Sequence, residues 1–378
     1  MPAARSRSTG SRDVRLAPLE AAMNAEAPDV VVVGLGPAGS RAAAAAARAG
    51  YGVIAIERRT EAGCPVQCAE FVPAMIERDV PEVRAVAKQK IARMLTFTEA
   101  RCCDTTPNFR GWMIDRAAFD RMLADEAVSA GAECRYGTSV IAIDSDGTVH
   151  MSDGRSLRPR VLIGCDGPHS RVGAAIGQTN RALVDTRQVT VPLIVPHDAT
   201  DIFLSADYRG GYGWLFPKGA VANIGIGVAM HDRQQLKPML AKLFSRLSIL
   251  RRIGTRPLGL TGGAIPVGGR LRSIARLGTT QVLLAGDAAG LTNPVTGAGI
   301  ASAVQSGTLA GRAAVDILGR SSDAHRDYEE ELGDIFDSAL NRALRRRSQV
   351  LERYDHGGRP DARALADGWI SSPSYWAA

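Results

Sequence analysis

The stretch DVVVVGLGPAGSRAAAAAARAG at residues 29–50 decides how this chain folds. Four consecutive valines, Val30 to Val33, suit a strand buried on both faces of a parallel sheet. The glycines that follow, Gly34, Gly36 and Gly39, have the spacing of the dinucleotide fingerprint, and Pro37 and Ala38 open an alanine-rich helix. A second apolar run, residues 52–56, ends at Glu57, with Arg58 beside it. That is roughly 20 residues on, where an acid meets an adenosine ribose. The order predicts a dinucleotide-binding unit of Rossmann type, but it does not separate FAD from NAD.

GDAAGLTNPVTGAGI at 286–300 makes that choice. It follows Val282, Leu283, Leu284 and Ala285, which read as a buried strand, and it leads into a small-residue helix over 298–318. Strand, acidic loop and helix N-terminus aim backbone N–H groups and a positive dipole end at one point. Asp287 is placed to accept from a ribityl or sugar hydroxyl, while Gly286, Gly297, Ala298 and Gly299 let backbone approach a ring system closely. The expected cofactor is FAD, held without a covalent bond. The strand over 161–164 delivers Asp166 and Gly167, in CDGPHS at 165–170, to the same site.

At 378 residues and 45% hydrophobic content the chain can bury a large core divided among two or three units. The +7 charge comes from scattered residues that are nearly all Arg, so nucleic acid is not an expected partner; anionic membrane or phosphorylated ligands fit the charge better. No apolar run reaches the ~20 residues of a membrane span. Residues 1–28 lack the apolar core of a signal peptide and read as a disordered or wrongly assigned extension, with Met23 as one candidate start. Six Cys in a chain of this size point to a reducing, cytoplasmic compartment.

The fold class expected is α/β: a Rossmann-type FAD domain split in sequence, an inserted antiparallel substrate domain and a helical C-terminal region. The FAD domain takes 29–62, 100–175 and 274–325, the substrate domain 63–99 and 176–273, and the C-terminal region 326–378. Residues 74–90 read as helix-like, 133–157 as a β-meander, and 235–253 as an amphipathic helix. No second glycine fingerprint follows a strand in the middle third. Electrons are therefore expected from NAD(P)H docking transiently, or from a donor protein such as reduced ferredoxin.

GLGPAG, CDGPHS and GDAAGLTNPVTGAGI, in that order, resemble the p-hydroxybenzoate-hydroxylase-type FAD fold. Within it, GYGWLFPKG at 211–219 resembles the YxWxFPK segment of the geranylgeranyl reductase family, and MIDR at 113–116 is similar to that family's arginine-bearing helix start. The resemblance implies saturation of isoprenoid double bonds with FAD hydride, on archaeal-type lipids or chlorophyll side chains as the lipid or small-molecule substrate, and it places Arg116 at the cofactor.

Period two puts Tyr212, Trp214 and Phe216 on one face of a strand, and Gly225 and Gly227 on the returning strand leave room beside it, a slot for a chain or ring. Lys218 reads as a turn residue. Cys64 and Cys68 are the candidate catalytic residues. If Pro65 opens a helix, Cys64 caps it and Cys68 sits one turn up, where thiols are reactive. One reading makes a thiol the acid that protonates an alkene during hydride transfer. A second makes the pair a redox disulfide acting on a substrate such as a lipoyl group. A third, an aromatic monooxygenase, follows from the parent fold. The six His residues show no ligand spacing, and no metal is expected. Arg345, Arg346 and Arg347 on a helical stretch over 326–354 read as a solvated face; the sharper alternative, with Leu340, Leu344 and Leu351 on the other side, is a peripheral membrane contact.

Overall fold

The computed structural model describes residues 26–99, 102–355 and 357–377. Met23 and all but the end of the 1–28 extension lie outside them.

The valine run forms the strand Val30–Val33, wholly buried, at the centre of a six-stranded sheet. Across that sheet the strands are Ile274–Leu277, Thr280–Leu284, Val161–Gly164, Val30–Val33, Val53–Ile56 and Glu133–Arg135, all parallel except the first pair. They come from three separated parts of the chain, so the cofactor unit is split. The helices Pro37–Arg48 and Ile300–Leu318 pack on each other so tightly that a Cβ at Gly307 would stand 2.1 Å from the Ala38 carbonyl oxygen. Small residues on both helices make that approach sterically open.

The second unit is an eight-stranded sheet built on Leu183–Pro192, Val221–Ala229, Gly213–Lys218 and Ala199–Leu204, continued by Arg93–Thr98 and Cys102–Thr106. Gly259–Thr261 forms its other edge. The helix Leu236–Ile249 buries Leu236, Leu240, Leu243 and Leu247 against it. A smaller sheet joins Phe71–Pro73, Gly111–Ile114 and Ala87–Ile91.

Four expectations are corrected here. Residues 102–114, assigned to the cofactor unit, pair in the other sheets, because Cys102–Thr106 folds back on Arg93–Thr98 as a hairpin. Glu133–Arg135 joins the parallel sheet, leaving the meander to Val140–Ile143, Val149–Met151 and Ser156–Leu157. The region 74–90 is two single turns, Ala74–Arg78 and Pro81–Val86, and then a strand, since Pro81 interrupts any longer helix. The Arg345–Arg347 helix, Ser338–Asp355, turns its apolar side inward. Leu340 is buried, Leu344 packs at Gly269 and Leu351 at Gly210, while Arg347 donates to the carbonyl oxygens of Gly210 and Pro294. Among the described residues no helix is long and apolar enough to cross a membrane.

Candidate active site

Both helices aimed at the cofactor cleft begin without a capping side chain. Gly36 precedes Pro37–Arg48 and Gly299 precedes Ile300–Leu318, and neither first turn carries an acid. Their free N–H groups suit an anionic or electron-rich ligand. A Cβ at Gly36 would meet nothing within 4 Å, so the space above this helix start is open. Asp287 is half-buried, and desolvation pushes its carboxyl above the usual range. Thr292 donates to its Oδ1 at 2.6 Å, while Oδ2 has no donor among the described residues. An open helix start, uncapped N–H groups and a carboxylate short of a donor fit FAD.

The cleft is lined by Gly36, Arg59, Gly63, Val66, Arg116 and Asp120. Arg116, at the first position of the helix Arg116–Ser129, pairs with the buried Asp120 at 2.7 Å and also faces Cys68 and Asp287. Two cofactor expectations change. Arg58 is exposed to solvent, and its neighbour Arg59 turns inward, donating to the Pro65 carbonyl oxygen and to Gln67. The Asp166 carboxylate serves its own loop, accepting from Ser170 Oγ and the backbone N–H groups of Arg171 and Val172. Gly167 makes the turn in this loop with a φ of +83°. Glu57 accepts from the backbone N–H of Leu35 at 2.9 Å, joining the second strand to the fingerprint loop. Gly34, Gly286 and Gly297 lie at these turns and adopt positive φ, while Gly39 sits in the first turn of Pro37–Arg48. Ala38 and Ala298 lie at the two helix entries.

No helix forms at Pro65; residues 61–70 are irregular, so Cys64 caps nothing and Cys68 is not one turn above it. Instead the substrate sheet clamps this segment. Gln188 Nε2 donates to the Cys68 carbonyl oxygen at 3.0 Å, and Asn223 Nδ2 to that of Ala69 at 3.3 Å. Glu70, buried at a φ of +70°, accepts from Lys218 Nζ at 2.5 Å, Asn223 Nδ2 at 2.9 Å and the Arg116 N–H at 3.0 Å. Lys218 is therefore an ion-pair partner and not merely a turn residue. Both Cys64 and Cys68 are free thiols, and Cys68 Sγ accepts from the Glu70 N–H at 3.1 Å.

Trp214, Gly225 and Gln188 stand side by side on three neighbouring strands. The indole crosses the bare Gly225 and donates to Gln188 Oε1 at 2.9 Å. A Cβ at Gly225 would lie 2.1 Å from the ring, so the expected slot at this glycine is filled by Trp214 itself. Gly227 gives no slot either, because Val184 stands 3.0 Å from its Cβ position. Tyr212, Trp214 and Phe216 share one apolar cluster. The Tyr212 hydroxyl donates to the Thr296 carbonyl oxygen at 2.6 Å, tying this cluster to the 286–300 loop. Trp369 of the C-terminal region packs edge-on against Tyr212, with ring centroids 4.9 Å apart.

Residues 104–343 match a FAD binding domain family and residues 29–162 a FAD dependent oxidoreductase family. With the fold and the cleft, these define the class: the protein is a FAD-dependent oxidoreductase. A digeranylgeranylglycerophospholipid reductase of Methanosarcina acetivorans is 32% identical over 324 residues, covering 80% of this chain and 79% of the relative. One of Methanopyrus kandleri is 32% identical over 373 residues, covering 86% and 91%. The crystal structure of a geranylgeranyl bacteriochlorophyll reductase-like protein from Thermoplasma acidophilum superposes with a TM-score of 0.79 at 26% identity, covering 90% of each chain. The chain belongs to the geranylgeranyl reductase family.

Proposed function

We propose that this enzyme reduces the isolated double bonds of a polyprenyl glycerophospholipid. The observation that carries the reading is the clamp on residues 68–70: one sheet presents the Tyr212, Trp214 and Phe216 cluster and also holds Cys68 beside Arg116 at the cofactor cleft. The relatives named as reductases of digeranylgeranylglycerophospholipid supply the substrate class. Gly36, Arg59, Arg116, Asp287 and the start of Ile300–Leu318 would hold the cofactor. FAD bound there and reduced by NAD(P)H or a donor protein would supply a hydride equivalent for one alkene carbon. Cys68 gives a proton to the other carbon, since no carbonyl polarises such a bond. The Arg116 guanidinium offsets the charge left on sulfur, and solvent restores the proton. The aromatic cluster keeps water from the chain being reduced.

The test is anaerobic reduction of the holoenzyme followed by addition of digeranylgeranylglycerophospholipid. Flavin reoxidation with formation of the saturated lipid is expected. Reoxidation by a lipoyl disulfide alone, or only by oxygen with an aromatic substrate, would overturn the reading.

A further inference from the structure

More than half of the large apolar side chains left exposed among the described residues lie at one end of the substrate sheet. They are Ile194, Val195, Ile249, Leu250, Leu258 and Leu260, and Ile249 and Leu260 are 81% and 66% exposed. The backbone holds them together. The Ile194 N–H donates to the Arg252 carbonyl oxygen at 3.0 Å, Leu193 bridges Ile253, the Leu258 N–H donates to Thr190, and Leu260 pairs with Val189.

Charge accompanies the patch. From 233 to 286 the sequence contains no Asp or Glu. Arg246, Arg251 and Arg256 have no carboxylate within 4.0 Å among the described residues. The acids of adjoining elements are engaged elsewhere: Asp198 by Arg93, Asp201 by Arg252 and His197, and Asp207 by Lys242 and Arg359.

We propose that this end of the substrate sheet docks on an anionic lipid bilayer, with the aliphatic side chains entering the interface and Arg246, Arg251 and Arg256 meeting lipid phosphates. Its position serves the active site. Gly259–Thr261 carries Leu260 outward, and the next contacts reach the cysteine segment: Thr261 Oγ1 donates to the Val66 carbonyl oxygen at 2.6 Å, and Gln67 Nε2 to that of Gly262 at 3.0 Å. A lipid leaving the bilayer here emerges beside the loop that ends in Cys68. The proposal rests on the lipid reading for its purpose, not for its surface chemistry.

The test is cosedimentation of the FAD-loaded enzyme with vesicles of phosphatidylglycerol or phosphatidylcholine. Binding to phosphatidylglycerol at low salt, released by added salt, is expected. Leu258→Asp with Leu260→Asp, and separately Arg251→Glu with Arg256→Glu, should each weaken it by about tenfold or more, with flavin absorbance and thermal melting unchanged. Both pairs should still turn over detergent-dispersed digeranylgeranylglycerophospholipid at the parent rate. Wild-type protein left in the supernatant at low salt, or variants that bind as well as the parent, would overturn the proposal. So would a self-association that these substitutions abolish in a protein that ignores vesicles. Vesicle binding without reduction of that lipid would leave the docking face standing and remove the substrate assignment.

Discussion

Two cysteines four positions apart have unequal surroundings. Cys68 faces Arg116 and Tyr212, and its own carbonyl is pinned by Gln188. Cys64 makes no side-chain hydrogen bond among the described residues, whereas Cys68 Sγ accepts from the Glu70 N–H. A general acid contributes about 10²–10⁴ in rate. Cys68→Ala should therefore lower kcat on the lipid by a factor of about 10² or more with FAD still bound, and Cys64→Ala should change it by less than about threefold. Stopped-flow reoxidation of the reduced enzyme measures both. Equal losses would instead point to a thiol pair acting as a unit.

At the scale of elements, what was legible in the sequence was whatever a short contiguous stretch encodes. Residues 29–50 and 280–300 each specify a strand, a turn and a helix start within one run, and the structure packs the two together, with Gly286 against Ala38 and Ala303. The clamp was not legible: Lys218 lies 148 positions from Glu70, and Gln188 lies 120 from Cys68. No local periodicity reports such a pairing. Gly225 was misread for a related reason, because a missing side chain marks space without saying which residue fills it. Arg41 on Pro37–Arg48 shows how the cofactor helices are tied. It bonds both oxygens of Glu126 at 2.8 and 2.9 Å and donates through Nε to Thr308 on Ile300–Leu318. Burial pushes the Glu126 carboxyl up, but Arg48 and Arg41 outweigh it and hold the group below its usual 4.5. The stabilisation is therefore complete above the unfolded value and fades as pH falls through the lower folded one. Glu126→Gln should cost about 1–2 kcal/mol at pH 7, and the gap to wild type should narrow below pH 4.5. Urea unfolding across that range checks it; a gap independent of pH would mean that packing, not charge, sets the loss.

Across the whole molecule, the C-terminal region joins both units at the aromatic cluster. Arg347 ties its long helix to the Gly210 and Pro294 carbonyls, one beside the aromatic strand and the other in the 286–300 loop. Trp369 follows and packs on Tyr212, 4% exposed, with its Nε1 lacking any partner among the described residues. The indole therefore offers two separable contributions. Its ring area is favourable, and losing a buried Trp to Ala typically costs about 3–5 kcal/mol. Its orphan N–H is unfavourable, by about 1–3 kcal/mol for a buried unpaired donor. Trp369→Ala should therefore lower stability by several kcal/mol and weaken FAD retention, since Tyr212 holds Thr296 in the cofactor loop. Trp369→Phe keeps most of the ring and removes the orphan, so its stability should stay within about 1 kcal/mol of wild type. Chemical denaturation of both variants, with flavin release followed in parallel, separates the contributions. A Phe variant as unstable as the Ala variant would show that the N–H is bonded, and that Trp369 does more than cover the aromatic cluster.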